Sequence, residues 1–288
     1  MIKWLEKTKK KIFSLYTGPD KSWNYTKCNF GRYPEIDLFI REYFSKLPNN
    51  PNILCVGVGM NEERNSSGTL PIELSSILES QGKDYKMTII DTESRILNML
   101  KNKKEISFEL DYHLSQKSGD LEILIEDNWN SWVRYLQDTR QEIPNLNCLM
   151  KEAHDKGGIE EIALSSKLPS KYVDKIGNGD VSFVCGDVIT YDLSSFGPFD
   201  FIHCLNILCH IPSEHGWVNT EVLDIALNNM IKNLRKGGIL LVDDCRDEEA
   251  GFFVPTAWKI EGLEEKGIVS IDKKNYSFHA HSLFVKKN

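Results

Sequence analysis

Two glycines, Gly57 and Gly59, follow directly on the apolar run Ile53-Leu54-Cys55-Val56. A glycine pair at the end of a buried strand lets the backbone turn sharply and lets a ligand come close to the main chain. Three carboxylates give such a loop something to bind with. Glu62, in Asn61-Glu62-Glu63 just after the glycines, is suited to an ammonium group. Asp91 ends the next apolar run, Met87-Thr88-Ile89-Ile90, where a carboxylate accepts from both hydroxyls of a ribose. Asp187 follows Gly186 after a third run, Val181-Ser182-Phe183-Val184, where it can accept from an adenine amino group. Taken singly, each acid has the alternative of a helix N-cap, and Asp91 and Thr92 are both suited to capping. Three acids on three strand ends point instead to a nucleotide-like ligand at one edge of a sheet. Arg32, in Asn29-Phe30-Gly31-Arg32-Tyr33, can reach a substrate carboxylate bidentately, with a surface salt bridge as its alternative. His279 and His281 share a face of the last strand, but no third ligand lies near them in sequence and no metal is expected.

The elements that must hold these residues alternate. Phe199 to Cys204 and Gly238 to Val242 are two further apolar runs, and continuous runs of this kind suit strands buried on both faces of a parallel sheet. Helical spacing predicts helices over Pro71 to Ser80, Thr92 to Asn102 and Glu221 to Leu234, the last ending at Lys236-Gly237-Gly238 as a C-cap. Alternating strands and helices imply a doubly wound α/β sheet. Ile268 to Ile271 and His281 to Val285 lie too close together for a helical crossover, so they are expected to pair as an antiparallel hairpin. Residues 51–102 and 181–288 make the expected core and 1–50 a helical N-terminal cap. Residues 103–180 are too long for one crossover. Within them Leu121, Leu124, Ile125, Trp129, Trp132, Val133 and Leu136 recur at helical spacing, so a largely helical insertion is expected. Placed beyond the carboxyl edge of the second strand, it would act as a lid or, alternatively, as a structural or dimerising element.

The order Gly57-x-Gly59, Asp91, Gly186-Asp187-Val188, Phe199-Asp200-Phe201-Ile202 and Lys236-Gly237-Gly238-Ile239-Leu240 resembles the motif series of class I S-adenosylmethionine (SAM)-dependent methyltransferases. The resemblance covers residues 53–100 and 181–288 and implies a Rossmann-like fold closed by an antiparallel hairpin. A dinucleotide-binding dehydrogenase fits less well, because the third glycine of G-x-G-x-x-G is Glu62 here. By resemblance, the backbone at Gly57 and Gly59 would cradle the methionine part of SAM, with Glu62 near its amino group. Asp91, followed by Thr92, would hold the ribose, Asp187 the adenine N6, and the Val188 N–H would face the ring.

Local pattern is similar to the chemotaxis-receptor glutamate methyltransferases. Val181-x-Phe183-x-x-x-Asp187-Val188 matches V-x-F-x-x-x-N-L, and Asp200-x-Ile202-x-Cys204-Leu205-Asn206-x-x-x-His210-Ile211 matches D-x-I-x-C-R-N-x-x-x-Y-F. Leu205 replaces the arginine of that pattern and His210 its tyrosine. Asn206-Ile207-Leu208-Cys209-His210-Ile211-Pro212 also resembles the L-x-H-I element of small-molecule methyltransferases. Asn206 is expected at the cofactor. His210, expected just past the fourth strand, is a catalytic candidate, and so is Arg32, which roughly matches an N-terminal arginine of the receptor methyltransferases. His210 would act as a base toward an oxygen or nitrogen nucleophile, with plain packing as its alternative. A small-molecule acceptor is the expectation. A protein or peptide carboxylate acceptor and a non-catalytic SAM-binding protein are the alternatives.

Bulk properties bound the rest. The 288 residues suit one α/β domain with an insertion, and a net charge of −7 speaks against a nucleic-acid partner. The seven cysteines form no C-x-x-C pair and are expected to be reduced in a cytoplasmic protein. No membrane span is expected, and a homodimer is compatible with the pattern.

Overall fold

The fold is described from a computed structural model over residues 34–61, 66–111, 135–142, 161–204, 207–208, 220–244, 246–247, 252–253, 263–270 and 280–287. The uninterrupted apolar runs become strands β1 (Asn52–Val56), β2 (Lys86–Asp91), β5 (Val181–Cys185), β6 (Phe199–Cys204) and β7 (Leu234–Asp244). Between β2 and β5 lie β3 (Glu105–Asp111) and β4 (Glu161–Lys167), and the chain closes on β8 (Leu263–Ser270) and β9 (Ala280–Lys286). The helices are α1 (Pro34–Lys46), α2 (Leu70–Ser80), α3 (Ser94–Lys101), α4 (Ser170–Asn178) and α5 (Thr220–Lys232).

Seven strands form one sheet in the order β8-β9-β7-β6-β1-β2-β5. From β5 across to β7 all neighbours are parallel, while β9 runs antiparallel to both β7 and β8. The Rossmann-like sheet with a terminal antiparallel hairpin is therefore present, and the hairpin strands are longer than expected. Chain order reverses between β1 and β6, which makes their carboxyl ends the switch point where ligands bind in open α/β sheets.

Successive residues of each strand feed opposite cores. Ile53, Cys55, Met87, Ile89, Phe201, Ile239 and Leu241 pack with α1, α2 and α3 on one face. Leu54, Val56, Ile90, Ile202, Cys204, Leu240 and Val242 pack with α5 on the other. At the amino edge the buried carboxylate of Asp200 accepts the Asn52 N–H at 2.8 Å and an Arg235 N–H at 2.9 Å, tying β1, β6 and β7 together.

The chain departs from the sequence expectation in three places. First, α5 ends at Lys232 and β7 begins at Leu234, so Lys236-Gly237-Gly238 lies inside the strand rather than capping the helix. Phe199 pairs with Leu234 and Phe201 with Ile239; the surplus residues form a bulge, with Gly237 at φ +73°. Lys286 Nζ takes over part of the capping, donating to the carbonyls of Ile231 and Leu234 at 2.7 Å each. Second, α3 starts at Ser94 with Glu93 at its N-cap, so neither Asp91 nor Thr92 caps it.

Third, the 103–180 segment includes an antiparallel ribbon, β3 on β4, that helical spacing did not foresee. Of the apolar positions expected to make a helix there, only Leu136 falls within the described residues; 135–138 is helical, and Tyr135 and Leu136 are buried against the α1–α2 face. Arg41 of α1 holds Asp138 bidentately, one bond being Nη1 to Oδ1 at 3.0 Å and the other Nη2 to Oδ2. The Tyr135 hydroxyl donates to the Lys167 carbonyl at 2.7 Å. Re-entry is through α4, whose buried Lys175 pairs with Asp84 at 2.6 Å and Asp180 at 3.2 Å, just ahead of β2 and β5. Within the described residues β3 follows α3, and α4 precedes β5. The segment's described residues pack beside α1 and α2 and lead into β5.

Candidate cofactor site

At the carboxyl edge the ladder runs one residue past each strand. The Gly57 N–H donates to the Ile90 carbonyl at 2.8 Å, and the Gly186 N–H to the Asp91 carbonyl at 2.9 Å. Gly57, Asp91 and Gly186-Asp187 consequently stand side by side at the ends of β1, β2 and β5. Both Gly57 and Gly59 adopt φ +71°, a conformation costly for any residue with a Cβ. A short hairpin follows, Met60–Asn61 pairing with Ser66–Ser67, and the Gly68 N–H closes its base on the Gly59 carbonyl at 3.0 Å.

Asp91 is bonded twice to the backbone. Its Oδ2 accepts the Val58 N–H at 2.8 Å and its Oδ1 the Glu93 N–H at 2.9 Å. A carboxylate has about four lone-pair positions, so acceptor capacity for a diol remains on the same group. Thr92 is exposed beside it, and its carbonyl accepts the Cys185 thiol at 3.6 Å. Asp187 is half-buried, with Oδ1 accepting the Ile189 N–H at 2.9 Å in a tight turn. Val188 is buried, and Asn229 of α5 donates to its carbonyl at 2.7 Å and to that of Tyr191 at 2.8 Å. These bonds hold the turn at the end of β5 against α5.

Gly57, Gly59, Asp91, Thr92, Asp187 and Val188 thus share one edge of the sheet. Glu62, Asn206, His210 and Arg32 lie outside the described residues. Two side chains not singled out in the sequence also close this edge. A Cβ on Gly57 would stand 2.0 Å from Ile207 Cδ1, and one on Gly186 would stand 2.4 Å from Tyr191 Cδ2. Both glycines are therefore sites of close side-chain approach. Strand-end glycines signal such approach in a sequence, but they do not say which side chain makes it.

Three solved structures illustrate what this chain is similar to. N-methyltransferase NodS from Bradyrhizobium japonicum WM9, in complex with S-adenosyl-L-homocysteine, is 14% identical over 97% of this chain and 98% of its own, with a TM-score of 0.45. Cofactor-bound Rv0187 from MTB is 11% identical over 91% of this chain and 85% of its own, at a TM-score of 0.43. An rRNA methylase from Streptococcus thermophilus is 7% identical over 87% and 95%, at 0.40. No family model and no curated protein matches the chain. Among the described residues no group of three or more metal-ligating side chains converges, and no helix is long and apolar enough to cross a membrane.

Proposed function

We propose that this chain is a SAM-dependent methyltransferase acting on an oxygen or nitrogen atom of a small molecule. The observation that carries the proposal is the placement of Gly57, Asp91 and Asp187. They sit on three adjacent strand ends beside the switch point, in the order the sequence resemblance requires. The donor set fits the cofactor chemically. The positive-φ glycines turn the main chain sharply at the end of β1, where an amino-acid moiety would lie, Asp91 keeps acceptor capacity for a ribose diol, and Asp187 supplies an acceptor where an adenine amino group would lie.

SAM supplies a methyl group already activated on a sulfonium sulfur, so this chain has mainly to hold two reactants in line. The Gly57–Gly59 backbone and Glu62 take the methionine end. Asp91 with Thr92 takes the ribose, and Asp187 with the Val188 N–H takes the base. Asn206 and His210 follow β6 in the sequence. His210 removes the proton of a hydroxyl or amine acceptor, and Arg32 pairs with an acceptor carboxylate.

The test is transfer from methyl-labelled SAM to a panel of small amines, phenols and carboxylic acids, with peptides and RNA alongside. Label on a dialysable acceptor supports the proposal. Label only on peptide or RNA would retain the enzyme and replace the acceptor class. Binding without transfer to any acceptor would favour a non-catalytic SAM-binding protein.

A further inference from the structure

We propose that Ile207 is a positioning residue for the cofactor loop, bracing Gly57 from the β6 side; this rests on the cofactor assignment above. Ile207 is the third residue past the end of β6, and β6 is the neighbour of β1 at the switch point. Its side chain is half-buried against the α5-side core and reaches across to the glycine loop. A Cβ on Gly57 would lie 2.0 Å from Ile207 Cδ1 and 2.7 Å from Cγ1, so the isoleucine fills the space any side chain at 57 would need.

Gly57 therefore meets two separate demands. Its φ of +71° disfavours a Cβ by backbone strain, and a Cβ there would also have to displace the end of the Ile207 side chain. The loop is held from both flanks. On the β2 side the Asp91 carboxylate fixes the Val58 N–H at 2.8 Å, and on the β6 side a branched apolar chain lies against Gly57. Polar restraint sets the direction of one amide, while packing stops the loop shifting away from it. Ile207 acts through Gly57 rather than by touching the reacting atoms.

The test is a double-mutant cycle read by calorimetric titration with S-adenosylhomocysteine, at a temperature well below the melting point of every variant. Ile207→Val removes only Cδ1, the atom nearest Gly57, and Ile207→Ala removes the brace. The predicted loss of affinity is about threefold for valine and about tenfold for alanine, with folding cooperativity retained. Gly57→Ala is predicted to cost several-fold less in the Ile207→Ala background than in the wild type, because the clash is gone and only the strain remains. Equal cost in both backgrounds, or unchanged affinity in both Ile207 variants, would overturn the brace while leaving the cofactor assignment standing. If Gly57→Ala does not fold, the valine and alanine variants still decide. A wild-type protein that does not bind S-adenosylhomocysteine would overturn the cofactor assignment and this proposal together.

Discussion

The Asp91 carboxylate, at the end of β2, accepts the Val58 N–H of the neighbouring glycine loop at 2.8 Å. One side chain thus both shapes the loop and offers remaining acceptor capacity to a ligand. Asp91→Ala removes two charge-assisted bonds to backbone amides, those of Val58 and Glu93. Stability is predicted to fall by about 1.5 to 3 kcal/mol in urea unfolding. A variant as stable as the wild type would show that the carboxylate does not restrain the loop.

Asp200 supplies the contrast. It is buried at the opposite edge, holding Asn52 and Arg235. Asp200→Ala leaves the guanidinium and an amide without their partner, and a loss of about 2 to 3 kcal/mol in stability is expected. Because the pair lies at the amino ends of the strands, S-adenosylhomocysteine affinity should stay within about twofold of the wild type at 25 °C. A large loss of affinity in a folded variant would mean that the two edges are coupled.

Acid unfolding carries a signature of α4. The Lys175 ammonium, hydrogen-bonded to Asp84, holds that carboxyl below its ordinary value. A depressed folded value means that the stabilisation is fully present above the ordinary carboxylate value, near pH 4. It is lost as the pH falls through the lower folded value. Asp84→Asn should therefore lower stability at neutral pH and flatten the acid limb of the stability–pH curve below about pH 4. Asp84 is largely exposed, so the effect is small and should shrink with added salt. Parallel acid limbs for the two proteins would contradict the assignment.

His210→Gln tests the chemistry apart from binding. A general base at His210, as proposed above, would contribute about 10²- to 10⁴-fold to kcat toward a hydroxyl or amine acceptor. The variant should lose that factor, together with the acidic limb of the kcat–pH profile, while S-adenosylhomocysteine affinity is retained. Unchanged turnover with an ionised carboxylate acceptor would fit methylation that needs no base.

The sheet was legible because its strands are buried on both faces. Ile53 to Val56 has no polar alternation to confuse the period, Phe199 to Cys204 is buried at every residue, and Asp91 and Gly186-Asp187 at the ends of two other runs fall on adjacent strands. The Gly237–Gly238 pair misled because a glycine after a helix is read as a cap, whereas here it serves a bulge inside β7. The β3–β4 ribbon was hidden for another reason. Glu105 to Asp111 and Glu161 to Lys167 are far apart in sequence, and neither shows that its partner is the other. Ile207 belongs to the same class, since its contact with Gly57 exists only once β6 is placed beside β1.

The most direct measurement is calorimetric titration of the wild-type protein with S-adenosylhomocysteine, with Asp91→Ala in parallel. The account predicts saturable binding at one site per chain for the wild type and at least about tenfold weaker binding for the variant. Absence of binding by the wild type would contradict the methyltransferase assignment, and equal binding by the two proteins would contradict the role of Asp91 at the ribose.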